Sequence, residues 1–285
     1  MNAAVASALR ARLARLWQAS PFWRRRFEQA GFASAPEGID RLPPLSAAEL
    51  ARDEAEHGPA GSWRDGAEFV RAGVAVREQP LDTLLFTAAD LRREAAAGAR
   101  ALRACGLEPG RRATNTLPGA IYTPGSLLVG DAVEATGCLD MPVGPIADAG
   151  PRATAWEFWG RVAPDFAIVD VAGARDFAAL LAQKDTTAAA LGLGGMAIVT
   201  DLRDRAEAPT PGFDVPVTCI AGLAECFGMM AARSPDGNHA PPPDEIVVEV
   251  LDGELLLTTL GHSAALIRYA PGVRARLSAD GFEVA

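Results

Sequence analysis

Residues 125–143 read Gly-Ser-Leu-Leu-Val-Gly-Asp-Ala-Val-Glu-Ala-Thr-Gly-Cys-Leu-Asp-Met-Pro-Val, and this stretch decides the fold class. Its first part, Gly125 to Thr136, carries apolar residues at helical spacing and stops at Gly137, a residue that tolerates the left-handed turn after a helix. Its second part, Cys138 to Val143, is a short apolar run that predicts a buried strand. A strand over Arg112 to Thr116 precedes it. After it come a helix near Ala153 to Gly160, a strand at Phe166 to Val171 and a helix at Ala172 to Ala182. Strands alternating with helices of this length predict βαβ units and a mostly parallel sheet, an α/β fold.

Upstream, Thr87-Ala-Ala-Asp90 caps a helix that runs to Cys105 and ends at Gly106. Glu108-Pro-Gly110 is a turn. Residues 1–68 read as a helical segment, in which Ser46-Ala-Ala-Glu49 is a capping box after Pro43-Pro44. The start of the chain is rich in Ala and Arg and lacks acids before Glu28, as a transit peptide would. Leu9, Leu13, Leu16 and Trp17 recur at helical spacing, however, so an amphipathic helix is the simpler reading. Downstream, Val215 to Ile220, Glu245 to Leu251, Glu254 to Thr259 and Ala264 to Tyr269 predict strands, with Asp252-Gly253 a hairpin signal. Ser234 to Asp244, with three consecutive prolines, reads as a loop. The predicted organisation is therefore a helical segment (1–68), an α/β body (69–214) and a smaller β-rich subdomain (215–285).

Composition narrows the classes. The 285 residues are 49% hydrophobic and 22% charged, with a net charge of −9. This balance suits a globular protein and disfavours nucleic-acid or anionic-membrane binding. No apolar run is long enough to span a membrane. Cys105, Cys138, Cys219 and Cys226 are scattered, with no C-x-x-C pair, which points to free thiols in a cytoplasmic protein and away from structural zinc. Lys184 is the only lysine, so chemistry that needs a lysine has one candidate here.

Isolated motifs carry little. Gly192-Leu-Gly194-Gly-Met-Ala197 satisfies a dinucleotide pattern, with Asp214 downstream, but an alanine-rich segment precedes it and it lies late in the chain. Gly261-His262-Ser263 falls short of a nucleophile elbow and reads as a hairpin feature. His57 and His239 stand alone. Trp156 and Trp159, three apart on one helix face, read as core or interface.

A resemblance emerges from several stretches in order. Ser20-Pro-Phe-Trp-Arg-Arg-Arg-Phe27 with Leu42-Pro-Pro-Leu45, Ala99 to Gly110, Leu117-Pro-Gly-Ala-Ile-Tyr-Thr-Pro-Gly125 and Met141-Pro-Val-Gly-Pro145 are the first four. Gly194-Gly195, Gly222-Leu-Ala-Glu225, Glu254 to Leu260 and Leu266-Ile-Arg-Tyr269 follow. Together they resemble the phenylacetate–CoA ligase branch of the AMP-dependent, acyl-adenylate-forming synthetases. The resemblance implies an acyl-CoA-synthetase-like N-terminal body. In that family ATP and a carboxylic acid form an acyl-adenylate, from which coenzyme A takes the acyl group. It also implies an acyl pocket near Tyr122, Thr123, Gly125, Pro142, Val143 and Gly144, and a nucleotide and metal site at Gly194, Gly195, Gly222, Glu225, Arg268 and Tyr269. Glu225 falls on the magnesium position.

The departures from the family pattern fall on that site. Its Ser/Thr/Gly-rich "SSGTTGKP" loop is replaced by Ala72-Gly-Val-Ala-Val-Arg-Glu-Gln-Pro80, where Arg77 is the one cation and Glu78 opposes phosphate. In its "YGLTE" motif the adenine-stacking Tyr is Ala221 and the Thr is Ala224. The ribose-holding Asp is Val273. The family's lid, with its catalytic lysine, is expected to be absent. The expectation is a pseudoenzyme, a non-adenylating relative with no required cofactor, that binds a small acyl or aromatic molecule or a protein partner. Two alternatives are a working ligase using ATP, Mg²⁺ and CoA, with Arg77 serving an altered loop, and a scaffold subunit, as a homo-oligomer or with a separate partner chain.

Overall fold

The computed structural model describes residues 2–66, 68–76, 83–119, 121–204 and 212–285. In chain order the first elements are α1 (Ala3–Ala19), α2 (Pro21–Gln29), α3 (Ala47–His57), β1 (Phe69–Ala75), β2 (Thr83–Thr87) and α4 (Ala88–Ala104). Next come β3 (Arg112–Asn115), β4 (Tyr122–Thr123), α5 (Ser126–Thr136), β5 (Leu139–Pro142), α6 (Ala149–Arg161), β6 (Phe166–Asp170) and α7 (Val171–Gln183). The chain continues through β7 (Met196–Asp201), β8 (Val217–Gly222), β9 (Ala231–Ala232), β10 (Asn238–His239), β11 (Ile246–Leu251), β12 (Glu254–Thr259), β13 (Ala275–Leu277) and β14 (Phe282–Val284). Two compact units result, one of Met1–Leu91 with Ala240–Ala285 and the other of Arg92–His239.

The second unit is built on a six-stranded sheet of order β5-β3-β6-β7-β8-β9, parallel throughout except for β9. Its central strands are apolar on both faces. On β6, Phe166 and Ile168 pack into one core with Leu102, Val129 and Val133 of α4 and α5. Ala167 and Val169 pack into the other with Trp159 of α6 and Phe177 of α7. Burial on both sides is why these strands read as continuous apolar runs, without alternation. Trp159 donates its indole N–H to Thr114 Oγ1 at 2.8 Å, so it is a core residue with its polar handle satisfied.

The first unit holds α1 to α3, an antiparallel β1–β2 hairpin, the β11–β12 hairpin and the β13–β14 pair. Leu9, Leu13 and Leu16 form the buried stripe of α1, as their spacing predicts. Ser46 and Glu49 close the capping box on α3, and Thr87 and Asp90 exchange bonds at the start of α4. Asp252 and Gly253 both take positive φ, +51° and +79°, as a type I′ turn requires.

Four readings need correction. β5 is not buried: it is the sheet edge, with Leu139 54% exposed and only Met141 fully covered. α6 starts at Ala149, because a proline in the first turn lacks only an N–H that the helix leaves unbonded. Ala264 to Tyr269 is irregular backbone, interrupted at Arg268 with φ +51°; Tyr269 alone bridges to Leu257 and Leu45. β8 pairs in parallel with β7, which places it in the α/β unit and not in a β-rich region starting at residue 215.

Candidate functional site

Taking only the parallel strands, the order β5-β3-β6-β7-β8 is the 2-1-3-4-5 pattern of open α/β sheets, which bind ligands beyond the carboxyl ends of the strands. At the ends of β3 and β5, Asn115 is the hub. Its side chain donates to Ser126 O at 3.1 Å and accepts from Leu117 N at 3.2 Å. Its backbone carbonyl accepts from the N–H groups of Val143 and Gly144 at 3.0 and 3.2 Å. One residue thus ties the two ends of the Leu117–Ser126 segment to Val143 and Gly144; the six residues expected to form an acyl pocket lie in these two stretches. Tyr122 is 40% exposed and Thr123 is buried. Gly125 is required, because a Cβ there would collide with the carbonyl of Tyr122. Beneath them Asp140 is pushed up to about 6, chiefly by burial, against a hydrogen bond from Asn115 and with Glu134 and Asp131 adding repulsion. Asn115 does not stand out in the sequence as a site residue. The available signal was a short amide side chain closing a strand, three residues before Pro118-Gly119.

At the ends of β7 and β8 the arrangement is closed. Residues 221–230 are buried without exception. Leu223 N–H donates to Phe227 O at 2.9 Å, Cys226 N–H to Leu223 O at 3.1 Å, and Gly228 N–H to the buried carboxylate of Glu94 at 3.1 Å. Gly222 admits no side chain, since a Cβ would strike the carbonyls of Gly228 and Phe227. Ala221 and Ala224 are packed in the core. Glu225 carries the one acidic side chain within this loop, and Arg203 binds it while also donating to Asp201 Oδ2 at 3.0 Å. Burial raises Asp201, partly offset by Arg203 and reinforced by Glu225 and Asp204. With a guanidinium already on the carboxylate, Glu225 does not fit the magnesium role that the resemblance implies. Among the described residues, no group of three or more His, Cys, Asp or Glu could hold a metal.

Other expected positions fall elsewhere. Gly194 and Gly195 precede β7 and so lie at its amino end, the far end of the strand from Asp201, where Gly195 packs on the Phe166 ring. The same placement removes the dinucleotide reading, which needs its glycines after a strand and before a helix. Lys184 follows the last turn of α7, with its ammonium 5.3 Å from the Trp156 ring. It too lies at the end of the sheet remote from the strand carboxyl ends. Burial raises the thiols of Cys105 (to about 12), Cys219 and Cys226, which keeps them protonated and poorly nucleophilic.

In the first unit, β1 and β2 pair from Phe69↔Thr87 to Val74↔Thr83. Of the segment that stands where the resemblance implies a phosphate loop, residues 72–74 lie in this pairing, and Arg77 and Glu78 fall outside the described residues. Arg268 turns inward: it donates to the carbonyls of Asp40 and Leu42 and pairs with Glu249 at 3.3 Å. Tyr269 and Val273 are buried. His262 and Ser263 are not a hairpin feature but a buried junction. Ser263 N–H donates to Asp90 Oδ1 at 2.8 Å, His262 Nδ1 lies 3.7 Å from the same oxygen, and Arg12 donates to the carbonyl of His262. Burial works against ionisation of Asp90, but His262 and the bonds from Ser263 and Thr87 outweigh it and hold this carboxyl below its ordinary value.

No family model matches the chain, and no curated protein matches it in sequence. Solved structures do match. An open conformation of 2-hydroxyisobutyryl-CoA ligase, in complex with 2-HIB-AMP and CoA, superposes with a TM-score of 0.81 at 19% identity over 98% of this chain and 67% of that one. The same ligase in its postadenylation state with R3-HIB-AMP gives 0.79 at 19% identity over 97% and 64%. Its thioesterification state gives 0.78 at 20% identity over 98% and 64%. The fold is that of an acyl-CoA ligase. The chain spans about two thirds of the length of these ligase chains, 64 to 67%. Among the described residues, no helix is long and apolar enough to cross a membrane.

Proposed function

We propose that this chain is a non-adenylating relative of the phenylacetate–CoA ligase branch of the AMP-dependent synthetases. It keeps the strand-end platform around Asn115 as a binding surface for a small acyl or aromatic group. The observation that carries this reading is the closure of residues 221–230. The loop's backbone donors and its glutamate are turned to partners within the chain, where a nucleotide-binding loop would present them to a ligand. The replacements over residues 72–80 and at Ala221, Ala224 and Val273 support it from the sequence. Four missing contacts at about 1.5–3 kcal/mol each weaken ATP by more than about 10⁴-fold. The protein then needs no cofactor, is cytoplasmic, and has a small molecule, not nucleic acid or membrane, as its partner.

A second reading, a working ligase that uses ATP, Mg²⁺ and CoA, draws support from the superposition over 98% of the chain. Pyrophosphate release separates the two. Incubation with Mg-ATP and a panel of aryl and short-chain acyl acids is expected to release none above background. Turnover with any member of the panel overturns the proposal. Thermal shifts with the same acids and their CoA thioesters identify the group bound, and Asn115→Ala is expected to abolish the shift.

A further inference from the structure

Two carboxylates converge at the carboxyl ends of adjacent strands: Asp201 ends β7, and Glu225 sits in the loop that leaves β8. Such a pair is ordinary chemistry for a divalent cation, since Mg²⁺ takes one or two carboxylates together with water and phosphate oxygens. Here a side chain of the protein sits between them. Arg203 donates its backbone N–H to Asp201 Oδ1 at 2.8 Å and Nη1 to Asp201 Oδ2 at 3.0 Å, and its Nη2 binds Glu225 Oε1. The side chains of Arg203, Asp201 and Glu225 are 14%, 10% and 1% exposed, so the arrangement is largely removed from water.

We infer that Arg203 is a tethered cation standing in the place of a divalent metal, so that this strand end neither needs nor admits one. This deepens the non-adenylating reading and rests on it for the identity of the ion displaced. The physical reason is charge. A metal approaching Glu225 has to break charge-assisted bonds to a guanidinium that cannot deprotonate, and then to share the site with it. The carboxylates gain from Arg203 the neutralisation a bound ion would bring, without the loss of freedom of an ion taken from solution.

The test is Mn²⁺ uptake, read by electron paramagnetic resonance, with melting temperatures in millimolar Mg²⁺ or Mn²⁺. Wild type is expected to take up no Mn²⁺ at submillimolar concentrations, and its melting temperature should not respond to either ion. Arg203→Met, which keeps the bulk and removes the charge, should melt several degrees lower. It should regain much of that loss with Mn²⁺, and Glu225→Gln in the same background should cancel the rescue. Should Arg203→Met fail to fold, Arg203→Gln replaces it, and should both fail the wild-type titration decides. Mn²⁺ uptake by wild type that Glu225→Gln removes overturns the inference, as does a folded Arg203→Met protein indifferent to divalent ions. Nucleotide binding without metal uptake at Glu225 would defeat the non-adenylating reading and leave the role of Arg203 standing. Metal uptake at Glu225 without nucleotide binding would do the reverse.

Discussion

The carboxyl ends of β3 and β5 and those of β7 and β8 lie along one edge of the same sheet, yet they are finished in opposite ways. Beyond β3 and β5 the chain is tied at its root by Asn115, turns through bonds from Tyr122 N–H to Gly119 O at 3.1 Å and from Ser126 N–H to Pro118 O at 3.0 Å, and presents Ile121 at 60% and Tyr122 at 40% exposure. Beyond β7 and β8 the chain doubles back on itself, and its acids are engaged by Arg203 and by the N–H of Gly228. One end leaves apolar side chains open to solvent, as a binding site does. The other directs its polar groups inward, as a core does. A ligase fold can therefore keep one half of its strand-end platform and close the other, since each half is held by different residues.

Substitutions sharpen that contrast, beginning with the largest effect. Gly222→Ala forces a Cβ into the backbone of Phe227 and Gly228, and it should destabilise the protein by about 3 kcal/mol in chemical denaturation. A neutral outcome would mean that the closed loop is loose. Asn115→Ala removes the side-chain bonds to Ser126 O and Leu117 N–H at the other end, together with that to Asp140, and should cost about 2 kcal/mol, with greater protease sensitivity confined to residues 117–126. Cleavage within 221–230 instead would show the two ends to be coupled.

Asp140→Asn should do the opposite and stabilise. The folded protein holds the Asp140 proton more tightly than the unfolded chain, so wild-type stability falls as pH rises from about 4 through about 6. The asparagine variant should lack that slope and gain on the order of 1 kcal/mol at pH 7 after solvent screening. A wild-type stability that stays flat from pH 4 to about 7 contradicts the environment assigned to Asp140. Asp90, in the first unit, gives the smallest effect and the reverse sign. Its carboxyl is held below the ordinary value, so its contribution is present above about pH 4 and is lost as the solution is acidified further. Asp90→Asn should remove that acid limb, to an extent measurable by urea titration at pH 3 to about 5.

The sequence carried the architecture further than it carried the site. Helix caps at Ser46 and Thr87, the turn at Asp252-Gly253 and the alternation from Arg112 to Ala182 are local signals, and local physics decides them. The exposure of β5 is not local. Cys-Leu-Asp-Met-Pro-Val reads the same in a central strand as at an edge, and only the topology leaves Leu139 in solvent. Ala264 to Tyr269 has strand-like composition, but Arg268 takes a positive φ and sends its side chain to the carbonyls of Asp40 and Leu42, which breaks the strand. Arg203 left no mark in the sequence, because its partner Glu225 lies 22 positions away and meets it only through the pairing of β7 with β8. Gly194 and Gly195 show the converse: a family-like dipeptide stood out, but at the wrong end of its strand.

Whether the protein binds nucleotide separates a closed strand end from a working one. Calorimetric titration of the protein with Mg-ATP measures this directly, independent of any guess about the acid. Closed loop, replaced contacts and engaged glutamate together predict no heat of binding up to millimolar ATP. Saturable binding at micromolar affinity would contradict the account and restore the chain to the working ligases.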